Sequence, residues 1–117
     1  MRNRDTVIIK KIVQYADEIG GTITRFELNY DKFNSDYVAK NAISMCILQI
    51  GELVGNLSEE FRQHYDAMPW RAIISMRNRA AHAYGSMDIE IIWKTITTKI
   101  PELKNYCDKI IEENFQV

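Results

Sequence analysis

Apolar residues recur every three or four positions through most of the chain, and this spacing predicts a series of amphipathic helices. The first predicted helix covers about residues 5–19. Asp5 is expected to cap its start, and Gly20-Gly21 is expected to end it. In residues 22–32 a few apolar residues alternate as in a strand. No partner strand is evident, so we expect a loop or a helical turn there.

The middle of the chain predicts a central helix over about residues 36–55, capped by Ser35 or Asn34. Apolar residues surround much of its circumference, which indicates a helix packed on several sides. Gly51 lies inside it, where glycine costs about 1 kcal/mol relative to alanine. The expected reason is the close approach of another helix. Ser58 is then expected to cap a short helix with Glu59 and Glu60 in its first turn.

Two further helices complete the prediction. Pro69 suits the first position of a helix and Gly85 suits the residue after its end. The last helix is expected over about residues 89–114, capped by Asp88 or Ser86 and interrupted or kinked at Pro101. Helices joined by short connections predict an all-α protein: an antiparallel bundle of four to five helices.

Composition agrees with a helical domain. The chain has 117 residues, 46% of them hydrophobic, and we expect a single domain over residues 1–117. Only five glycines and two prolines leave little room for a turn-rich β architecture. Lys10 and Lys11 interrupt the N-terminal segment, so we do not expect a signal peptide there, and no apolar run is long enough to span a membrane. Cys46 and Cys107 are expected to be reduced core thiols of a cytoplasmic protein, a disulfide being the less favoured alternative.

Candidate chemistry concentrates in the helix that begins near Pro69. At about 100° per residue, Arg77 falls in the middle of the apolar face of this helix. Arg71, Asn78 and His82 form a second stripe beside that face, and Asn78 and His82 are one turn apart. The apolar face comprises Trp70, Ile73, Ile74, Ala81 and Tyr84.

An arginine on an apolar face requires an opposite charge, a cleft or a second subunit. No acidic residue lies between Asp66 and Asp88, so the partner of Arg77 must come from elsewhere. Glu52 on the central helix is the first candidate, and a solvated Glu52 without that role is an equal alternative. Three arginines in one helix of a chain with net charge −1 indicate an anionic ligand. The two cysteines and two histidines lack metal-ligand spacing, so we expect neither metal nor cofactor.

The same residues carry a family resemblance. Arg77, four residues, His82, one residue and Tyr84 resemble the R-x4-H-x-Y motif of HepT-like HEPN proteins. The segments Pro69-Trp70-Arg71, Met76-Arg77-Asn78 and Ile91-Ile92-Trp93 around it are also similar to that family. So are Ile50-Gly51-Glu52 and Leu57-Ser58-Glu59-Glu60-Phe61 upstream, and the resemblance covers about residues 33–103.

The resemblance implies a HEPN bundle that cleaves RNA without metal. Arg77 and His82 would be the catalytic pair, and Tyr84 would be adenylylated by an MNT nucleotidyltransferase antitoxin. From the residues themselves, Asn78 and Glu52 are expected to support the pair. Arg71 and Arg79 are most simply solvated, with phosphate contact as the weaker alternative. His64 is expected at the surface, and Trp70 and Trp93 in the core rather than as base-stacking platforms.

One geometric difficulty concerns the proposed pair. Arg77 and His82 lie about 140° apart on a regular helix, so one straight helix does not direct both at one phosphate. The long arginine side chain can wrap, the helix can distort, or two subunits can share a cleft. The resemblance favours the last, because HEPN dimers place two motif helices across a two-fold axis. We therefore expect a homodimer or higher oligomer.

Three functions follow from these observations. The first is the toxin of a type VII HepT/MNT toxin–antitoxin pair, an endoribonuclease that cuts RNA through attack of the 2′-OH. The second is a non-catalytic HEPN module that binds a nucleotidyltransferase partner or a nucleotide. The third is a structural helical adaptor, which would be favoured if Arg77 is fully paired inside one subunit and remote from any cleft.

Overall fold

A computed structural model of the chain describes residues 2–81 and 88–115, and within these ranges every regular element is helical. The all-α prediction is therefore confirmed. The described residues form four long helical units, the last of which consists of three consecutive elements, and two short helices. In chain order the elements are α1 (Asn3–Arg25), α2 (Tyr30–Ser35), α3 (Tyr37–Gly55), α4 (Glu59–His64), α5 (Trp70–Ala81), α6 (Asp88–Lys94), a π-helical turn (Thr95–Lys99) and α7 (Ile100–Phe115).

The long helices run in alternating directions around one core. The start of α1 lies beside α4 and the end of α7, around a hollow lined by Asp5, Tyr65 and Asn114, so α1 and α7 are antiparallel. The end of α3 and the start of α5 both lie next to α4, where Phe61 packs against Trp70 with ring centroids 5.9 Å apart. α3 packs against α1, α2 and α5, which confirms its predicted central position.

The first helix is longer than the sequence pattern predicts. α1 passes through Gly20 and Gly21 and ends at Arg25, so the predicted stop is wrong. Added Cβ atoms at these two glycines would meet no atom within 4 Å, so neither glycine is required by close packing. Buried Ile19 before them and half-buried Ile23 after them both pack on the core, which offsets the cost of glycine in a helix.

Asp5 does not cap α1, contrary to expectation. It lies in the first turn of α1, only 2% exposed, and its carboxylate accepts hydrogen bonds from the Ser58 backbone N–H at 2.9 Å and the Ser58 hydroxyl at 2.7 Å. Ser58 is the cap of α4, as predicted, since its hydroxyl oxygen accepts from the Phe61 N–H at 3.1 Å. The carboxylate of α1 therefore holds the start of α4, 53 residues later in the chain.

The cap of α3 also differs from the prediction. Asp36 caps α3, accepting from the backbone N–H groups of Val38 and Ala39, whereas Ser35 is the last residue of α2. The pattern did not distinguish neighbouring cap candidates because Asn, Ser and Asp have similar capping strength. α2 itself, capped by Asn29, begins within the stretch that was expected to be a loop or a helical turn.

Pro101 is accommodated by a change in helix type. α6 leads into the π-helical turn, which ends immediately before α7, so Pro101 is the second residue of α7. Proline lacks the N–H that continues an α-helical ladder, and its ring crowds the carbonyl one turn earlier. In the π turn the hydroxyls of Thr97 and Thr98 donate to the carbonyls of Trp93 and Lys94 at 2.9 and 2.6 Å. The predicted interruption is thus confirmed.

Cys46 and Cys107 are free thiols buried in the core, as predicted. Burial raises the pKa of Cys46 to about 11, with a smaller contribution from Glu18, and raises that of Cys107 to about 12. His64 is exposed, as predicted. None of the helices in the described ranges has the length and apolarity needed to cross a bilayer.

Candidate functional site

The helix that carries the motif begins one residue later than predicted. Pro69 precedes α5, and its carbonyl accepts the first helical hydrogen bonds, from the N–H groups of Ala72 and Ile73 at 3.1 and 3.3 Å. Trp70 is buried, as expected, and its indole N–H donates to the Tyr65 carbonyl at 2.9 Å. Trp93, also expected in the core, is half-buried and packs on Phe33. The start of α5 is therefore anchored to α4 by both packing and a hydrogen bond.

α5 approaches α3 closely at Gly51, as the sequence predicted. A Cβ atom added to Gly51 would lie 2.7 Å from the Cβ of Arg77 and 3.6 Å from its Cα. Unbonded carbon atoms prefer separations of about 3.5–4.0 Å, so a side chain at position 51 would push the two helices apart. Gly51 therefore permits the helix contact that holds the base of the Arg77 side chain.

Arg77 lies on the face of α5 that contacts α3, but its charged end is not buried there. Its side chain is 50% exposed. Of the side chains described on this helix, Trp70, Ile73 and Ala80 are buried and Ile74 is half-buried. At about 100° per residue Arg77 falls between Trp70 and Ile73, so its exposure comes from the length of its side chain and not from its position around the helix. Its stem packs over Gly51 while the guanidinium reaches water, as long cationic side chains commonly do.

Glu52, the expected partner, contacts Arg77. Nη2 of Arg77 lies 2.7 Å from Oε1 of Glu52, and the two side chains are equally exposed, at 50% and 51%. An exposed pair of this kind contributes about 0.2–1 kcal/mol, so it stabilises the fold little. A guanidinium has five N–H donors, and one carboxylate oxygen leaves most of them for another acceptor. The pair therefore orients the cation while keeping it available to an anionic ligand.

The second stripe of α5 is solvent-facing where the structure describes it. Arg71 and Asn78, two turns apart, are both exposed. Asn78 follows Arg77 directly and therefore points about 100° away from it around the helix axis. His82, Tyr84 and Gly85 lie outside the described residues, as does the side chain of Arg79. The structure thus describes Arg77, Asn78, Glu52 and Arg71 among the candidate site residues.

A hollow that the sequence did not predict lies between α4 and the start of α5. It has a volume of about 500 Å³, and its lining includes Arg62 from α4 and Arg71 from α5. Within the described part of the chain neither arginine has a carboxylate within ion-pair distance. Nε of Arg62 is buried and lacks a hydrogen-bond acceptor there. The sequence offered little signal, because an arginine nine residues from another has no fixed spatial relation to it across a turn.

An exposed apolar stripe runs along α3 towards Glu52. Val38 and Met45 are 51% and 54% exposed, and Tyr37 beside Val38 is 74% exposed. Val38, Met45 and Glu52 are spaced by seven residues, so they lie almost in line on one side of the helix. Three large apolar groups in contact with water next to a charged pair are typical of an interaction surface.

No set of three or more His, Cys, Asp and Glu side chains in residues 2–81 and 88–115 is arranged to hold a metal ion.

Comparison with known proteins assigns a family. The ribonuclease HepT-like family model matches residues 8–110. A protein of Caldanaerobacter subterraneus subsp. tengcongensis named "Putative RNase" is 35% identical over 74% of this chain and 77% of its own length. A "Putative RNase" of Methanocaldococcus jannaschii is 30% identical over 87% and 83%. "Probable ribonuclease HepT" of Thermococcus cleftensis is 31% identical over 72% and 76%. No solved structure matches significantly. With its all-helical fold and its R-x4-H-x-Y sequence, the chain belongs to the ribonuclease HepT-like family.

Proposed function

We propose that the chain is a metal-independent endoribonuclease and the toxin of a type VII HepT/MNT toxin–antitoxin pair. The observation that carries this proposal is the Arg77 guanidinium, seated over Gly51, oriented by Glu52 and half-exposed to solvent. A permanently charged fork of donors in this position suits the oxygens of a phosphate. Because the chain belongs to a ribonuclease family, we take the anion that Arg77 binds to be an RNA phosphate.

The proposed chemistry divides the work between two side chains. The 2′-OH of a ribose attacks the adjacent phosphorus, and the P–O5′ bond breaks to leave a 2′,3′-cyclic phosphate and a 5′-hydroxyl. His82 takes the proton of the 2′-OH and returns it to the leaving O5′, a role for which an imidazole that titrates near neutral pH is suited. Arg77 stabilises the charge that develops on the pentacovalent phosphorus centre. Asn78 supports this pair by hydrogen bonding.

The proposed active form is a dimer in which two motif helices share one cleft. Glu52 pairs with Arg77 inside one chain, so the lack of an acid in α5 no longer argues for a second subunit. Two other observations support the dimer. The angle of about 140° between Arg77 and His82 is difficult to reconcile with one straight helix. The exposed apolar stripe of Val38 and Met45 leads to Glu52, and a second copy would remove it from water.

The central experiment is RNA cleavage by purified protein in the presence of EDTA. Arg77→Ala and His82→Ala are each expected to lower the cleavage rate at least a hundredfold, because each removes one half of the proposed pair. Arg77→Lys should recover little activity, since it keeps the charge but loses the fork. Arg25→Ala, at the far end of α1, is the matched control. Wild-type cleavage by either motif variant would remove that residue from the catalytic pair.

The oligomeric state has its own test. Sedimentation of the wild-type protein should show a dimer or a larger assembly, and Met45→Glu, which places a charge in the exposed stripe, should shift it towards monomer. A folded monomer that cleaves RNA at the wild-type rate would contradict the shared cleft.

The proposed antitoxin is an MNT-type nucleotidyltransferase that adenylylates Tyr84. The added phosphodiester carries one negative charge, which would compete with RNA for Arg77. Tyr84→Phe should still cut RNA but escape neutralisation by the partner and ATP. The measurement is intact mass after incubation with both. Equal adenylyl mass on wild type and Tyr84→Phe would place the modification on another residue.

A second candidate function is a non-catalytic module that binds a nucleotidyltransferase or a nucleotide. The intrachain Arg77–Glu52 pair favours it, because a paired arginine can serve binding alone. RNA that stays intact under all conditions while the partner still binds would establish this function in place of the nuclease.

A further inference from the structure

The hollow between α4 and the start of α5 has features of a binding site outside the motif. Its volume of about 500 Å³ falls within the range of small-molecule pockets. Arg62 and Arg71 both line it, and neither has a carboxylate within ion-pair distance in the described part of the chain. A guanidinium has five N–H donors and no acceptor, so each of these side chains can donate to a ligand in the hollow. The hollow therefore suits a ligand with hydrogen-bond acceptors near the two arginines.

The lining of the hollow carries both signs of charge. Arg62 and Arg71 contribute donors, while Glu59 and Asp66 contribute carboxylates, and Gln63 donates to Glu59 at 3.3 Å. A simple anion such as phosphate would meet repulsion from the two acids. A whole nucleotide suits this lining better, because its phosphate accepts from arginines and the amino group of its base donates to carboxylates.

The hollow is also within reach of a strand bound at Arg77. Arg71 and Arg77 are six residues apart on α5, which is about 9 Å along the helix axis and about 120° around it. Exposed Asn78 continues the stripe of Arg71 towards the motif. A strand of a few nucleotides that passes part of the way around α5 can therefore contact both places.

We propose that this hollow holds one nucleotide of a single-stranded RNA substrate, a few nucleotides from the scissile phosphate. Arg62 and Arg71 bind its phosphate, and Asp66 and Glu59 accept from the amino group of its base. The site selects cytosine, adenine or guanine over uracil, the RNA base without an exocyclic amino group. This inference rests on the proposed function for its substrate, and it adds a second contact that determines affinity and base preference.

The test measures binding rather than cleavage, so that it is separate from the test of the nuclease. In a His82→Ala background, fluorescence anisotropy follows a short cytidine oligonucleotide over a range of salt concentrations. Arg62→Gln and Arg71→Gln should each weaken binding about tenfold, and replacing both should reduce the slope of log affinity against log salt by about 0.7, the value for one phosphate contact. Arg25→Gln, which removes the same charge at the far end of α1, should leave affinity and slope at the background values.

Base preference provides the second measurement. A cytidine oligonucleotide should bind at least about fivefold more tightly than a uridine oligonucleotide of the same length, and Asp66→Ala together with Glu59→Ala, which removes both acceptors, should bring the ratio close to one. Affinity of Arg71→Gln within twofold of the background overturns the phosphate contact, even if Arg62→Gln fails to fold, because Arg71 is exposed. A cytidine preference that survives the double substitution overturns the base contact. RNA that binds as described but is never cut leaves this site in place and removes the proposed nuclease.

Discussion

Gly51→Ala tests the close approach of α3 and α5 on which the position of Arg77 depends. The new Cβ would lie 2.7 Å from the Cβ of Arg77, about 0.8 Å inside the shortest comfortable carbon–carbon separation. Overpacking of this kind costs about 1–3 kcal/mol. Alanine also raises helix propensity by about 1 kcal/mol over glycine, which offsets part of that cost. Gly51→Ala should therefore be neutral to about 2 kcal/mol less stable than wild type.

Gly20→Ala is the matched control for this substitution. Gly20 also lies inside a helix, but an added Cβ would meet no atom within 4 Å. It should therefore gain about 0.5–1 kcal/mol from propensity alone. Urea unfolding followed by circular dichroism, at one fixed protein concentration, gives both free energies of unfolding. Gly51→Ala should be 1–3 kcal/mol less stable than Gly20→Ala, and equal stability within about 0.5 kcal/mol would refute the close approach.

A second substitution locates the clash. In an Arg77→Gly background the opposing Cβ is absent, so Gly51→Ala should be stabilising there. In an Arg77→Ala background the Cβ remains and Gly51→Ala should still be unfavourable. If the two backgrounds respond alike, the Cβ of Arg77 is not the atom that position 51 meets.

Three further predictions concern the cap residue Ser58, the carboxylate of Glu52 and the two buried thiols. Ser58→Ala should lower the free energy of unfolding in urea by about 2–3 kcal/mol, because it removes the cap of α4 and a hydrogen bond to buried Asp5. The control Ser35→Ala should lower it by less than about 0.5 kcal/mol. Similar losses of stability in the two variants would contradict the assignment of Ser58 as the cap. Glu52→Gln should change stability by less than about 1 kcal/mol, since its pair with Arg77 is half-exposed, and a loss above 2 kcal/mol would show a buried pair. Cys46 and Cys107 have pKa values raised from 9.0 to about 11 and about 12, so above pH 9 the unfolded thiols lose protons that the folded ones keep. The free energy of unfolding should then fall between pH 9 and 11 by up to about 1.4 kcal/mol per pH unit for each thiol. This fall should be shallower when both cysteines are replaced by alanine. An unchanged dependence of stability on pH would mean that the thiols do not titrate in this way.

Periodicity in the sequence was sufficient for the fold class and for the main helices. The apolar spacing predicted α3 to its last residue and identified it as central, and Ser58 was correctly predicted as the cap of α4. It also predicted the close approach of another helix at Gly51 and offered Glu52 as the first candidate partner of Arg77, and the structure shows both contacts. The helices and the cap could be predicted because they depend on side-chain type and on spacing within one helix, both of which are local. Gly51 and Glu52 could be singled out because a glycine inside a helix and an arginine on an apolar face each require a neighbour on another helix.

Tertiary packing decided the features that local signals misassigned. Gly20-Gly21 is a local stop signal, yet α1 continues because Ile19 and Ile23 on either side pack on the core. The local sequence suggests that Asp5 caps α1, but its carboxylate instead accepts a hydrogen bond from Ser58, 53 residues later in the chain. Arg77 lies on the apolar face of α5, as its spacing predicted, but only the packing against α3 shows that its guanidinium reaches water beside Glu52. Likewise, Arg62 and Arg71 share one hollow only through the turn between α4 and α5. A helical period gives the relative angles of side chains on one helix, whereas the orientation of that helix is set by the elements packed against it.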